Sequence, residues 1–363
     1  MHKKIRNSNL EALRILSMIL IIAHHYSCHG FMDVEIEASA NLYVIKMLHL
    51  GGKLGVDLFI LLSAYFMSKS QFTMQKLAKI LGEVCFYCVS IYLLFRFFIT
   101  PTRPLVFRDL LCSIFPIGFA SYWFITNYIL LMIISPILNA ALENLSQKKQ
   151  AQLLFLGFVF WSVIPVFTNI TYALNNIAWF SYLYLIAGYI RNNAVGAHRS
   201  SCTHFGIAVI SYALVVLSAV LSVFIGRHTN SAFFIKNSTR FSDMNSPLIL
   251  IASTALLLGC ITAAPHCNKI INFLASTMFG VYLIHDNFIA GPYIWNSVFH
   301  CRQFANAPHL MIHAVISIFS IFIFGVFVDL LRQCTVEKLW MLGIHKSERA
   351  IEKWRCAHKQ IAY

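Results

Sequence analysis

Apolar stretches about the length of a bilayer crossing alternate with short polar links along almost the whole chain. A membrane-spanning helix needs about 20 predominantly apolar residues. Ten segments approach that requirement, at roughly 9–28, 47–67, 77–98, 122–141, 151–168, 176–190, 205–225, 246–264, 271–290 and 310–331. The sixth is the shortest and predicts a tilted, kinked or interfacial helix. No hydrophilic stretch is long enough for a separate soluble domain, and no cleavage site follows the first apolar run, which therefore reads as a retained span. The pattern predicts an all-α fold, a polytopic transmembrane helix bundle of about ten spans. No internal repeat is evident, which weighs against a bundle built from duplicated halves.

The polar links orient the bundle. Positive charge accumulates on cytoplasmic loops. With the N-terminus inside, one side receives Lys3, Lys4, Arg6, Lys69, Lys76, Lys79, Lys148, Lys149, Arg191, Arg199, Lys269 and the basic tail. The other side has fewer bases, and it carries Asp33, Glu35 and Glu37. Both termini are therefore expected in the cytoplasm. Residues 1–335 read as one membrane-embedded domain and 336–363 as a basic cytoplasmic tail. That tail, with Trp340, Leu342 and Trp354, reads either as an amphipathic helix on the anionic inner leaflet or as a disordered basic segment.

Composition agrees with a membrane class. Hydrophobic residues make up 58% of the 363 residues and charged residues 12%, about half the charge of a soluble domain, and the mean hydropathy is +0.69. The net charge of +14 raises a nucleic-acid reading. The bases are dispersed over the links and tail, as topology requires, so no nucleic-acid partner is expected. Most cysteines lie in or beside apolar runs, where a free thiol acts as a small hydrophobe. Cys85 and Cys88 have a C-x-x-C spacing but fall inside a predicted span.

Several ionisable residues also fall inside predicted spans, where they are costly and mark function or a buried partner. Arg14 and His25 are eleven positions apart on the first segment. At about 100° and 1.5 Å per residue they share one stripe, roughly 16 Å apart. Glu11 lies three residues before Arg14 and Lys53 four before Asp57, so each charge has a local partner within helical reach. Lys76 and Lys79 stand three apart at a cytoplasmic helix start. His29 shares the face of His25 at a spacing that could hold a metal, but no carboxylate or thiol is evidently paired with these histidines, and no metal site is expected. His24 points about 100° away.

Four stretches in order resemble the integral-membrane acyltransferase family 3. They are Leu13-Arg14 with His25, the segment Gly55-Val56-Asp57-Leu58-Phe59 through Ser63-Ala64-Tyr65, the run Tyr122-Trp123-Phe124 through Tyr128 to Pro136, and Phe279-Gly280-Val281-Tyr282-Leu283-Ile284-His285. Two departures stand out: Ala64 where the family often has Gly, and Lys76 and Lys79 where it often has an arginine pair. Lysine keeps the charge but lacks the planar fork that suits phosphate.

The resemblance implies a bacterial inner-membrane, multi-pass O-acyltransferase. It would use acetyl-CoA or a related acyl-CoA as donor substrate, with no bound cofactor, and a hydroxyl of an envelope carbohydrate as acceptor: exopolysaccharide, capsule or a lipid-linked sugar. Membrane lipid and polysaccharide-assembly proteins are its implied partners. His25 is then the candidate general base and Asp57 a candidate carboxylate to orient it. Arg14, Lys76 and Lys79 are candidate donor-binding residues. Trp123, Tyr128, Tyr282 and His285 are candidates along the substrate route. The alternative class is a transporter or flippase of a lipid-linked saccharide using buried Arg14, His25 and Asp57, and a weaker third is a multi-pass sensor.

Overall fold

The structure, a computed structural model, describes residues 6–32, 34, 40–101, 106–119, 121–168, 170, 174–338 and 340. All regular elements among them are helical. Each of the ten predicted segments coincides with helix. Seven helical stretches are long and apolar enough to cross a membrane. Most of the tail after 338 lies outside the described residues, as do Asp33, Glu35 and Glu37.

The centre of the bundle is a close pair. Helix α1 (Ser8–Gly30) starts at Asn7, whose side chain accepts from the Asn9 N–H. This cap satisfies one of the orphan donors of the first turn. Helix α2 (Ala40–Met67) runs against it through Gly51, Gly52 and Gly55. A Cβ at Gly55 would stand 2.6 Å from the Ser17 carbonyl oxygen, and one at Gly52 would overlap the ring of His24. The glycines therefore set how closely the two backbones approach.

Helix α3 (Met74–Leu94), capped by Thr73, continues through one wider turn at Phe95–Ile99. The short α4 (Phe107–Ile114), absent from the sequence expectation, folds back so that Ile114 meets Cys85 midway along α3. Next come α5 (Trp123–Asn144), α6 (Gln147–Phe158) with α7 (Ile164–Thr168), and α8 (Asn176–Asn193). The predicted short sixth span is α8, and it is central: Trp179, Phe180, Leu183 and Tyr184 are fully buried in it. Helix α9 (Ser201–His228) is peripheral, and the large apolar side chains of Val209, Leu217, Leu221 and Phe224 remain exposed on it. On a helix of this length, such an uncovered apolar face is what lipid covers. Helices α10 (Ala232–Lys236) and α11 (Pro247–Thr262) follow.

The ninth predicted span is not one helix. It breaks into α12 (Lys269–Ala275) and α13 (Met278–His285). Ser276 and Thr277 cause the break: their hydroxyls donate to the carbonyls of Phe273 and Leu274, three residues back. Such back-bonding competes with the helix ladder. Helix α13 ends at His285, and Asn287 seals the following turn by accepting from the Ile289 and Ala290 N–H groups. The short α14 (Ala290–Tyr293) and an irregular stretch lead to α15 (Leu310–Cys334).

Candidate active site

The end of α13 meets the last third of α1. His25 Nδ1 lies 3.5 Å from Asp286 Oδ1, and His29 Nε2 lies 3.8 Å from the same oxygen. The His25 ring is 5.1 Å from that of His285, centre to centre, and 5.0 Å from that of His29. His285 is fully buried. Its Nδ1 lies 2.7 Å from the Val281 carbonyl, which fixes that nitrogen as the protonated one, and its Nε2 has no partner. Tyr122 ties the framework around this group together. Tyr122 donates to the Leu283 carbonyl at 2.7 Å and accepts from the Asn287 amide at 2.8 Å.

Asp57 is not part of this group. It is fully buried in α2, and its Oδ1 accepts from Trp179 Nε1 at 3.0 Å. The carboxylate beside His25 is Asp286, which sequence reasoning passed over as a residue following the His285 motif. Two further expectations change. Three ligand-type side chains converge at each of two places, His25 with His29 and Asp286, and His24 with Cys28 and His49. A carboxylate and a thiol do therefore stand beside the histidines. Lys53 does not pair with Asp57 in the expected way; its ammonium lies over the Trp123 ring at 5.1 Å.

Below the histidines, toward the N-terminus of α1, lies a polar cavity of about 400 Å³. Its walls carry four cations, Arg6, Arg14, Lys79 and Arg332, and two carboxylates, Glu83 and Glu337. Arg14 pairs with Glu11 at 2.7 Å, as the helical spacing allowed, yet it also lines the cavity. Lys79 pairs with Glu337 at 2.5 Å. Lys76 does not contribute to the lining; its ammonium donates to the Gln71 carbonyl at 2.7 Å.

Arg332, which the sequence reading took only as one more base on the cytoplasmic side, is buried and holds Glu83, Asp329 and Glu337 at 2.9, 2.8 and 3.0 Å. Asp329 is fully buried and also accepts from Tyr87. A buried charge set of this kind is stable only when its members answer one another.

Aromatic rings join the two regions. Phe59, Phe124, Tyr128 and Phe279 line the cavity. Phe124 stacks on Tyr128 and meets Tyr282 at 5.5 Å, and Tyr282 meets His285 edge-on at 6.0 Å. Tyr128 and Tyr282 thus stand between the cations and the histidines. Trp123 is adjacent, against Phe124 and Phe180. Another cavity, about 440 Å³ between α5, α6 and α8, has a largely apolar lining without a charged side chain.

Over residues 7–329 the sequence matches the acyltransferase domain that defines the family named for these motifs. Neither the curated proteins nor the solved structures contain a match.

Proposed function

The chain belongs to the integral-membrane acyltransferase family 3, and on that premise we propose that it moves an acetyl or other short acyl group from acetyl-CoA to a hydroxyl of an envelope carbohydrate, with His25 as general base. It is a multi-pass membrane acyltransferase; the donor, the acceptor and the roles below are the proposed part. The observation that carries the reading is the His25–Asp286 pair, which ring contacts running from Tyr128 through Phe124, Tyr282 and His285 link to a polar cavity walled by four cations and two carboxylates.

The chemistry follows from these groups. Acetyl-CoA enters the cavity phosphates first, and guanidinium and ammonium groups there suit phosphate oxygens. The thin pantetheine arm then follows Tyr128, Phe124 and Tyr282 toward His25. Asp286 Oδ1 stands 3.5 Å from Nδ1 of His25, and that nitrogen has no hydrogen-bond partner; a small approach of the two side chains would make the bond and hold Nδ1 protonated. Nε2 is left to take the proton of the acceptor hydroxyl as its oxygen attacks the thioester carbonyl. The carbon–sulfur bond then breaks, and the proton held by His25 passes to the departing thiolate. His285, whose ring packs on His25, and Tyr282 stand between Phe124 and His25.

The family match and the apolar helices put the protein in a membrane; we take that membrane to be the bacterial inner one, and the basic links then orient Arg14 and Lys79 toward the cytoplasmic end. A reporter fused after Tyr363 is then expected in the cytoplasm and one inserted at Glu35 outside. The reverse result at both sites would put the cation-lined cavity on the side away from acetyl-CoA and overturn the donor route.

Thioester turnover tests the activity. Purified protein in lipid nanodiscs should release free coenzyme A from acetyl-CoA when given envelope glycan, and acetyl should appear on a sugar hydroxyl. Thioester consumption with no carbohydrate product would rule out the proposed acceptor. No consumption with any glycan would rule out the donor. The transporter alternative is set aside by the family match.

A further inference from the structure

We propose that His24, Cys28 and His49 form a binding site for a zinc ion that ties α1 to α2 beside His25. His24 and Cys28 are one turn apart on α1, and His49 reaches them from α2. The Cys28 Sγ lies 3.3 Å from His24 Nε2 and 3.2 Å from His49 Nδ1. Zinc binds sulfur at about 2.3 Å and imidazole nitrogen at about 2.0–2.1 Å, so tetrahedral ligands of these types sit about 3.5 Å apart. Both sulfur–nitrogen separations are thus within a few tenths of an ångström of ligand spacing, and all three ligand atoms lie within 4.8 Å of one another.

The surroundings complete the argument. His24 Nδ1 lies 2.7 Å from the His49 carbonyl oxygen. That contact holds the proton on Nδ1 and turns the Nε2 lone pair toward the sulfur. A backbone carbonyl on the far ring nitrogen is the usual orienting partner of a metal-bound histidine. The absence of a Cβ at Gly52 gives the His24 ring its place between the helices. One thiolate with two imidazoles suits zinc, and three protein ligands leave a fourth position for water.

The parallel group of His25, His29 and Asp286 lacks sulfur and supplies the proposed base. The two sets divide the histidines of α1. His25 and His29 face α13, and His24 with Cys28 faces α2. An ion on the second set fixes the rotation of α1 and with it the aim of His25 at Asp286.

The test uses the full-length protein purified in detergent and dialysed against zinc. About one equivalent of zinc per chain is expected. Cobalt(II) in its place should show thiolate-to-metal charge transfer and tetrahedral visible bands. Cys28→Ser should lose the charge-transfer band, and His49→Gln should weaken binding by at least about 10–100-fold, the loss that changes outside the ligand set already cause. Asp286→Asn and Cys202→Ser should retain the ion.

Because a variant can fail by misfolding, protection of Cys28 from alkylation is read on wild-type protein. Peptide mapping should find Cys28 blocked with zinc and reactive after chelation. Wild-type protein that binds no zinc, or a Cys28 alkylated equally with and without it, would leave only a hydrogen-bonded cluster and overturn the site. Zinc retained in Cys28→Ser but lost in Asp286→Asn would move the ion to the other group and overturn it equally. Neither readout depends on acyl transfer.

Discussion

In correctly inserted protein, His25→Ala is expected to lower acyl transfer by about 10²–10⁴-fold, the usual loss when a positioned base is removed. Donor affinity should remain close to wild type, because the cations that would hold the coenzyme line a separate cavity. The kinetic split is therefore a fall in kcat with little change in the donor KM. The carboxylates refine the test. Asp286 faces His25 at 3.5 Å, whereas Asp57 is bonded to Trp179. Asp286→Asn should then lower kcat by a smaller factor than His25→Ala, through the ring orientation it sets. Asp57→Asn should act mainly on thermal stability in detergent, since it disturbs a buried bond between α2 and α8. Near-normal transfer by well-inserted His25→Ala protein would end the general-base assignment. His285, buried against the same ring and with a free Nε2, would be the next residue to replace.

The bundle was legible because a bilayer demands long apolar segments, and the chain supplies them in order. The irregularities were not legible for a physical reason. Ser276 and Thr277 read as two small polar residues in an apolar run, yet their back-bonds end α12 and let α13 stop at His285. That stop is what brings Asp286 to His25 across most of the length of the chain. Helical periodicity reports neighbours one turn away and carries nothing about such a contact. Asp57 was attractive because it lies in a family motif, but its partner Trp179 sits on the short sixth segment that composition alone left ambiguous. The pairing of Arg14 with Glu11 was legible because both lie on one helix face. Cys28 offered a signal of the same local kind, four residues after His24, and it was obscured by reading most thiols in or beside apolar runs as packing. Arg332 looked like one more cytoplasmic base and Glu337 like a tail charge because sequence position does not show that the end of α15 folds against α3.

The second large effect is expected at Arg14. Its guanidinium lines the cavity while paired with Glu11, so the pair leaves it positioned and only partly neutralised. A charge-assisted contact to phosphate is worth roughly 1.5–3 kcal/mol, and about 1.4 kcal/mol is a factor of ten in affinity. Arg14→Ala should therefore weaken acetyl-CoA binding by about tenfold or more, read by titration calorimetry or by the donor KM. Lys79 lines the same cavity but is held by Glu337, so Lys79→Ala should weaken binding less, and Lys79→Arg should be tolerated because the charge is kept and a fork is added. Lys76 is the internal control. Its ammonium is spent on the Gln71 carbonyl outside the cavity, so Lys76→Ala should leave donor affinity within about twofold, as expected of a surface change of under ~0.5 kcal/mol. Glu11→Gln separates the two roles of Arg14. If Arg14 serves phosphate, freeing it from its partner should hold or raise donor affinity. If Arg14 serves only to pair with Glu11, both Arg14→Ala and Glu11→Gln should lower stability alike and leave donor affinity unchanged, and the cation-lined cavity would no longer be the coenzyme site.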